Sequence, residues 1–176
     1  MSIKLIIDQY DTELEESKFF GDILLPEAWL EDNVFSSDEM FLCQINLDDL
    51  YENFGRTLLP KTGMLYFFID YAKRTVARVR YTDGEIDAYT CFNEDWEGDY
   101  DVITSCSVEF SDGDTGTAML VKDENVADGK ICLLRYDPAH EEFIDFMQDT
   151  DSVLYFLIDE KDLLNKDFSR VDLKVV

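Results

Sequence analysis

Between Asn93 and Asp101 five carboxylates, Glu94, Asp95, Glu97, Asp99 and Asp101, surround two large aromatics, Trp96 and Tyr100. Rings supply contact area while carboxylates steer arriving Lys and Arg side chains. Glu94, Asp95, Trp96, Glu97, Asp99, Tyr100 and Asp101 are therefore the candidate partner-binding residues, and the partner they suit is a basic protein. The plainer alternative is an exposed acidic hairpin whose aromatics fold back on a sheet. The same tract imitates the first half of a calcium loop, with oxygen ligands at alternate positions and Gly98 at the sixth. Its twelfth position is Thr104 rather than a bidentate Glu, and its flanks read as strands, which argues against an EF-hand. A looser calcium site here or at Asp112-Gly113-Asp114 is an alternative to plain acidic turns.

With one histidine, His140, the chain cannot assemble a His-rich zinc site, and any Ser-His or Cys-His pair must use that residue. It falls in the first turn of an expected helix, whose dipole disfavours the charged ring, and reads as an exposed helix-start residue. Neither Gly-x-x-x-x-Gly-Lys-Ser/Thr nor Gly-x-Gly-x-x-Gly occurs, so nucleotide chemistry has no support. The 40 Asp and Glu make some pair at acid–base separation inevitable, and only burial or a shifted pKa would single one out. A hydrolase using such a carboxylate pair is the enzymatic alternative to a binding protein. No catalytic residue, metal ligand or cofactor is assigned. Gln44 and Asn46 stand apart as polar groups inside an apolar strand. Buried amides must find hydrogen bonds, so the pair reads either as a core network pinning the repeated units together or as part of a pocket.

Charge narrows the function class further. Against those acids stand 15 Lys and Arg, giving a formal net charge of −25. Such a surface repels phosphate backbones and anionic lipid, which excludes nucleic acid and membrane as partners and favours a cationic one. The N-terminal apolar run, Ile3 to Ile7, is too short for a signal h-region, and no segment approaches a membrane span. Cys43, Cys91, Cys106 and Cys132 are widely spaced inside apolar runs, as reduced core cysteines are. The expectation is a cytoplasmic protein. Nothing in the sequence fixes an oligomeric state.

These residues must be positioned by a chain that repeats itself. Gly63-Met64-Leu65-Tyr66-Phe67-Phe68-Ile69-Asp70 returns as Ser152-Val153-Leu154-Tyr155-Phe156-Leu157-Ile158-Asp159. Aligning Cys43 with Leu134 and Leu65 with Leu154 gives offsets of 91 and 89, so a run-connector-run unit recurs, over residues 41–70 and 131–159. Strands are predicted at 41–46, 64–69, 76–81, 102–110, 118–121, 131–136 and 153–158, with 76–81 keeping one face wet and hairpin turns at Lys73-Arg74 and Asp83-Gly84-Glu85. Helices are predicted from Leu47 to Gly55, and after Asp137-Pro138 with Phe143, Ile144, Phe146 and Met147 as its stripe; Lys161 to Leu164 is a brief one. The fold expected is α+β: one domain over residues 1–176, a mostly antiparallel sheet built from two degenerate strand-helix-strand repeats, with few short helices. The helices should cover one sheet face and the acidic middle hairpins the other.

Three segments resemble one family. Phe20-Gly21-Asp22-Ile23-Leu24-Leu25-Pro26-Glu27-Ala28-Trp29 is similar to the opening motif of the YwqG-like proteins, a bacterial family of unknown function. Phe41 to Leu47 resembles its F-L-x-Q-I-N-L strand, followed at the expected distance by Leu59-Pro60 and Gly63 to Phe68. Asp151 to Asp159, then Asp162-Leu163 and Phe168-Ser169, resemble its closing segment. Asp22 departs from the usual Gly or Pro, Leu30 from the Pro after Trp29, and Arg135-Tyr136 from the expected Gln-Ile pair. The resemblance implies a duplicated sheet fold without catalytic residues to carry over. It also implies an association with toxin and immunity proteins, and hence an immunity-like role.

Overall fold

The computed structural model describes residues 1–70, 75–91, 105–140 and 152–176. Within them ten strands form one antiparallel sheet: β1 (Ile3–Asp8), β2 (Lys18–Phe19), β4 (Glu39–Asn46), β5 (Met64–Asp70), β6 (Ala77–Thr82), β8 (Cys106–Asp112), β9 (Ala118–Val121), β10 (Ile131–Tyr136), β11 (Leu154–Ile158) and β12 (Asp172–Val175). Their order is β12-β11-β10-β9-β1-β8-β2-β4-β5-β6. Two further strands, β3 (Ile23–Leu25) and β7 (Ala88–Thr90), pair separately. The sheet curls until its two edges nearly meet. A 3₁₀ turn, Phe168–Arg170, enters β12 and sets Phe168 against Tyr81 of β6 with ring centroids 5.6 Å apart. Curling of this kind gives a twisted sheet an enclosed face for its large side chains.

Among the described residues there are four helices, all short: α1 (Glu27–Glu31), α2 (Leu47–Phe54), α3 (Glu124–Ala127) and α4 (Glu160–Leu164). The α+β expectation of strand-helix-strand repeats is therefore corrected to a predominantly β, nearly closed barrel. The reason lies in strand direction. β4 and β5 are antiparallel neighbours, so α2 between them caps one end of the barrel and need not cross the sheet face. Its Leu47 and Leu50 join the main core, and Gly55 ends it at φ 66°. At the second connector the structure describes only a 3₁₀ turn, Pro138–His140; Phe143, Ile144, Phe146 and Met147 lie outside the described residues.

The enclosed face carries the core. Phe67 and Phe156, equivalent in the repeat, meet edge to face at 5.2 Å, and Phe19 stacks on Tyr136 at 5.4 Å. The outward face of β4 and β5 carries Phe41, Tyr66 and Phe68, covered by β3 with Trp29 and Phe35, while the Tyr66 hydroxyl donates to the Leu24 carbonyl at 2.6 Å. Covering β3 is what β7 pairs with, so Asp83-Gly84-Glu85 is not the hairpin turn expected after β6. Burial alternates along β6 as expected, Ala77 and Val79 being buried and Arg78, Arg80 and Thr82 only half-buried, but the half-wet face is not idle. Arg78 and Arg80 close on the buried carboxylate of Glu39 at 3.0 and 2.9 Å, and Arg80 lies 4.4 Å from the Phe35 ring centre.

What recurs along the chain is a set of strand pairings wider than 41–70 and 131–159. On β4, Cys43 faces Phe67 and Gln44 faces Tyr66; on β10, Leu134 faces Phe156 and Arg135 faces Tyr155. Both ladders slip by one residue at the equivalent place, between Phe41 and Cys43 and between Cys132 and Leu134. On the other side Phe19 pairs with Cys43, as Met119 pairs with Leu134. The first strand of each half is exchanged: β1 pairs with β9 and β8 with β2. Ile3 and Cys106 hold equivalent places, opposite Met119 and Phe19, and β1 and β8 pair with each other at the centre of the sheet.

Candidate functional site

The loop before β2 has no strand partner for its carbonyls, yet several are taken by side chains. Lys18 Nζ donates to the Glu13 carbonyl at 3.4 Å, Gln44 Nε2 to Leu14 and Glu16 at 2.8 and 2.7 Å, and Asn46 Nδ2 to Glu15 at 3.1 Å. The Asn46 backbone N–H donates to Ser17 Oγ at 2.8 Å, and Asn46 Oδ1 caps α2 by accepting from Asp48 and Asp49 N–H. The structure thus places Gln44 and Asn46 in a clamp that fixes a loop. Burial pushes the Lys18 ammonium pKa down, opposed by Asp22 and Glu16.

The second half builds the same clamp with another side chain. Arg135 Nε donates to the Gly116 carbonyl at 2.8 Å and its Nη2 to that of Asp114, while Asp137 N–H donates to Thr117 Oγ1 at 3.2 Å. Arg135 stands where the repeat has Gln44, and Thr117 where it has Ser17. A single amide nitrogen serves two carbonyls in one copy, and a guanidinium fork serves two in the other. Arg135 departs from the pair expected in the second copy, and its position opposite Gln44 in the repeat is the signal in the sequence that could have found it.

Fixing that loop builds one wall of a cleft of about 450 Å³. Glu16 and Ser17 come from the loop, Asp49 and Asn53 from α2, and Ser107 to Phe110 from β8. Asp48 and Asp49 sit in the first helical turn, where the dipole favours acids. Asp48 is engaged, its Oδ2 accepting from Gly63 N–H at 3.1 Å. Asp49 is not, and its carboxyl is pushed above the ordinary carboxylate pKa by partial burial and then by the fields of Glu52, Asp48 and Glu16. No ion pair involves Glu16, Asp49 or Glu109 among the described residues. Nor, among those residues, do three His, Cys, Asp or Glu side chains converge as a metal site would require.

Residues 17–94 match the model of a domain of unknown function (DUF1963). No curated protein matches the chain. The DUF1963 segment opens on Ser17, the hydroxyl of the first clamp, and takes in Gln44, Asn46, all of α2 and the covering strands β3 and β7. It leaves out β8 to β12, the half in which Arg135 performs the work of Gln44.

The acidic candidates Glu94, Asp95, Trp96, Glu97, Asp99, Tyr100 and Asp101 lie outside the described residues, as do Asn93 and Thr104. Cys43, Cys106 and Cys132 are buried, and burial raises the Cys43 thiol well above its ordinary pKa and Cys132 to about 12. Such thiols stay protonated and are poor nucleophiles. Among the described residues no helix is long and apolar enough to cross a membrane.

Proposed function

We propose that the chain is a non-enzymatic interaction protein, akin to the YwqG-like family, that binds a basic protein partner through its acidic face. The cleft between the clamped loop, α2 and β8 would receive a lysine or arginine side chain of that partner. One observation carries this reading: Asp49 is a raised carboxyl crowded by acids, with no cation beside it among the described residues. A visiting cation relieves that crowding and finds Ser107 and Asn53 as further polar neighbours. An immunity-like role, in which a basic protein is neutralised by being covered, fits this mode of binding.

The test uses a synthetic lysine- and arginine-rich peptide and isothermal titration calorimetry. Affinity should fall steeply between about 0.05 and 0.3 M salt, as the screening length shortens. Asp49→Asn combined with Glu16→Gln should weaken it by about tenfold, whereas Glu160→Gln, on α4 and not part of the cleft lining, should leave it nearly unchanged. Equal affinity in the cleft variant would overturn the reading and reduce the interaction to diffuse attraction.

A further inference from the structure

The connection between β9 and β10, residues 122–130, is shorter than its counterpart between β2 and β4, residues 20–38. The longer one supplies β3, α1, Trp29 and Phe35 to fill the space beside its strands; the shorter supplies one turn of helix, α3. The same backbone kink precedes or opens both, at Phe20 with φ 56° directly after β2 and at Leu120 with φ 54° near the end of β9. After Phe20 the chain is pressed shut, since a Cβ on Gly21 would lie 2.7 Å from Ser105 Cβ. After Leu120 the equivalent residue is Val121, and a cavity of about 590 Å³ opens there, against the start of β1 and the residues that follow α2.

Leu58, Leu120, Val121, Ala127 and Ile131 give this cavity a predominantly apolar wall. Its charged lining runs against the sign of the whole molecule. Arg56, Lys122 and Lys130 all reach it, beside Asp123 and Glu124. Lys130 is committed to Asp172, with Asp159 at 3.9 Å, and Asp123 is committed as the cap of α3. Arg56 and Lys122 make no ion pair or side-chain hydrogen bond among the described residues. A volume within the range of small-molecule pockets, apolar walls and two exposed, unengaged cations against one such carboxylate, Glu124, define a ligand by complementarity.

We infer that this cavity binds a small amphiphilic anion: an apolar body of medium-chain length with a carboxylate head held by Arg56 and Lys122. The site is separate from the acidic cleft and does not depend on it. It favours an anion on a protein whose net charge of −25 would otherwise concentrate cations, so the sign of the preferred ligand separates site binding from surface attraction.

Decanoate, decanol and decylammonium, used below their aggregation concentrations, share one tail and differ in head-group charge. Calorimetry on the full chain should show saturable one-site binding of decanoate, tighter than that of decanol. The double variant Arg56→Gln with Lys122→Gln should weaken decanoate by about tenfold and leave decanol nearly unchanged. Ala127→Phe, which fills the cavity, should abolish both; Leu58→Trp at its exposed rim obstructs the mouth without burdening the core and should weaken both. Asp49→Asn should affect neither. Tighter binding of decylammonium than of decanoate, unsaturable uptake, or decanoate binding that survives both Leu58→Trp and the charge variant overturns the inference.

Discussion

The half of the sheet containing β4 and β5 and the half containing β10 and β11 share strand pairing, bulge position and clamp, and differ in almost every side chain that performs those tasks. Gln44 and Arg135 hold two loop carbonyls each; Ser17 and Thr117 each receive the N–H of a capping residue. What is retained is the hydrogen-bond geometry of a loop that has no strand partner. Any donor long enough and suitably directed satisfies it, because these loop carbonyls have no strand to pair with and take whatever side-chain donor reaches them. The halves differ most where no such obligation acts, in the connections after β2 and β9. There one is packed with aromatics and the other leaves a cavity.

The largest expected effect tests whether the halves share one core. Phe67→Ala and Phe156→Ala should each cost about 3–5 kcal/mol in denaturant unfolding, and the double variant should cost less than their sum because each ring packs on the other. Additive costs would mean that each half is packed independently. Next come the clamps: Gln44→Leu and Arg135→Leu should each destabilise by about 1–3 kcal/mol, with Arg135→Gln milder than Arg135→Leu since an amide can still donate. A neutral Arg135→Leu would break the equivalence at its centre. Ser17→Ala and Thr117→Val should follow at about 0.5–1.5 kcal/mol each.

The smallest effects concern pH, and two carboxylates in the first half have opposite signs. Burial pushes the Asp70 carboxyl up, but hydrogen bonds from Val76 N–H, Thr75 N–H and the Thr75 hydroxyl outweigh it and leave the pKa lowered. Its contribution is present above the unfolded value of about 3.9 and is lost as pH falls through the lower folded value. Asp70→Asn should therefore lower the melting temperature by a few degrees at neutral pH, with the gap closing in acid. Asp49 is raised, so its contribution is present below about 3.9 and lost as pH rises through the folded value. Asp49→Asn should raise the melting temperature at pH 7 by roughly a degree and do nothing near pH 3. Asp159, the counterpart of Asp70, is exposed and only 3.9 Å from Lys130, so Asp159→Asn should shift stability by no more than a few tenths of a kcal/mol.

Local sequence was sufficient where residue type and spacing alone decide the backbone. The strands at 118–121 and 131–136 have the predicted bounds, β4, β5 and β11 differ by one or two residues, and the helix after Asn46 stops at Gly55 as its composition requires. The short strands at 18–19, 23–25 and 172–175 carry too few residues for a period to register, and Ile3 to Ile7 was legible as an apolar run without its strand partners. Gln44 and Asn46 were legible as polar groups needing partners, but the partners are carbonyls of a loop some 30 residues away. The cleft residues Glu16, Asp49 and Glu109 come from three separate elements and have no common spacing to find. Only the tertiary structure decided that β1 and β8 change places, that the sheet curls until its edges nearly meet, and which connection leaves a cavity. Each of those outcomes depends on which strand lies beside which, and strand pairing is a contact between distant parts of the chain that side-chain periodicity within one part does not encode.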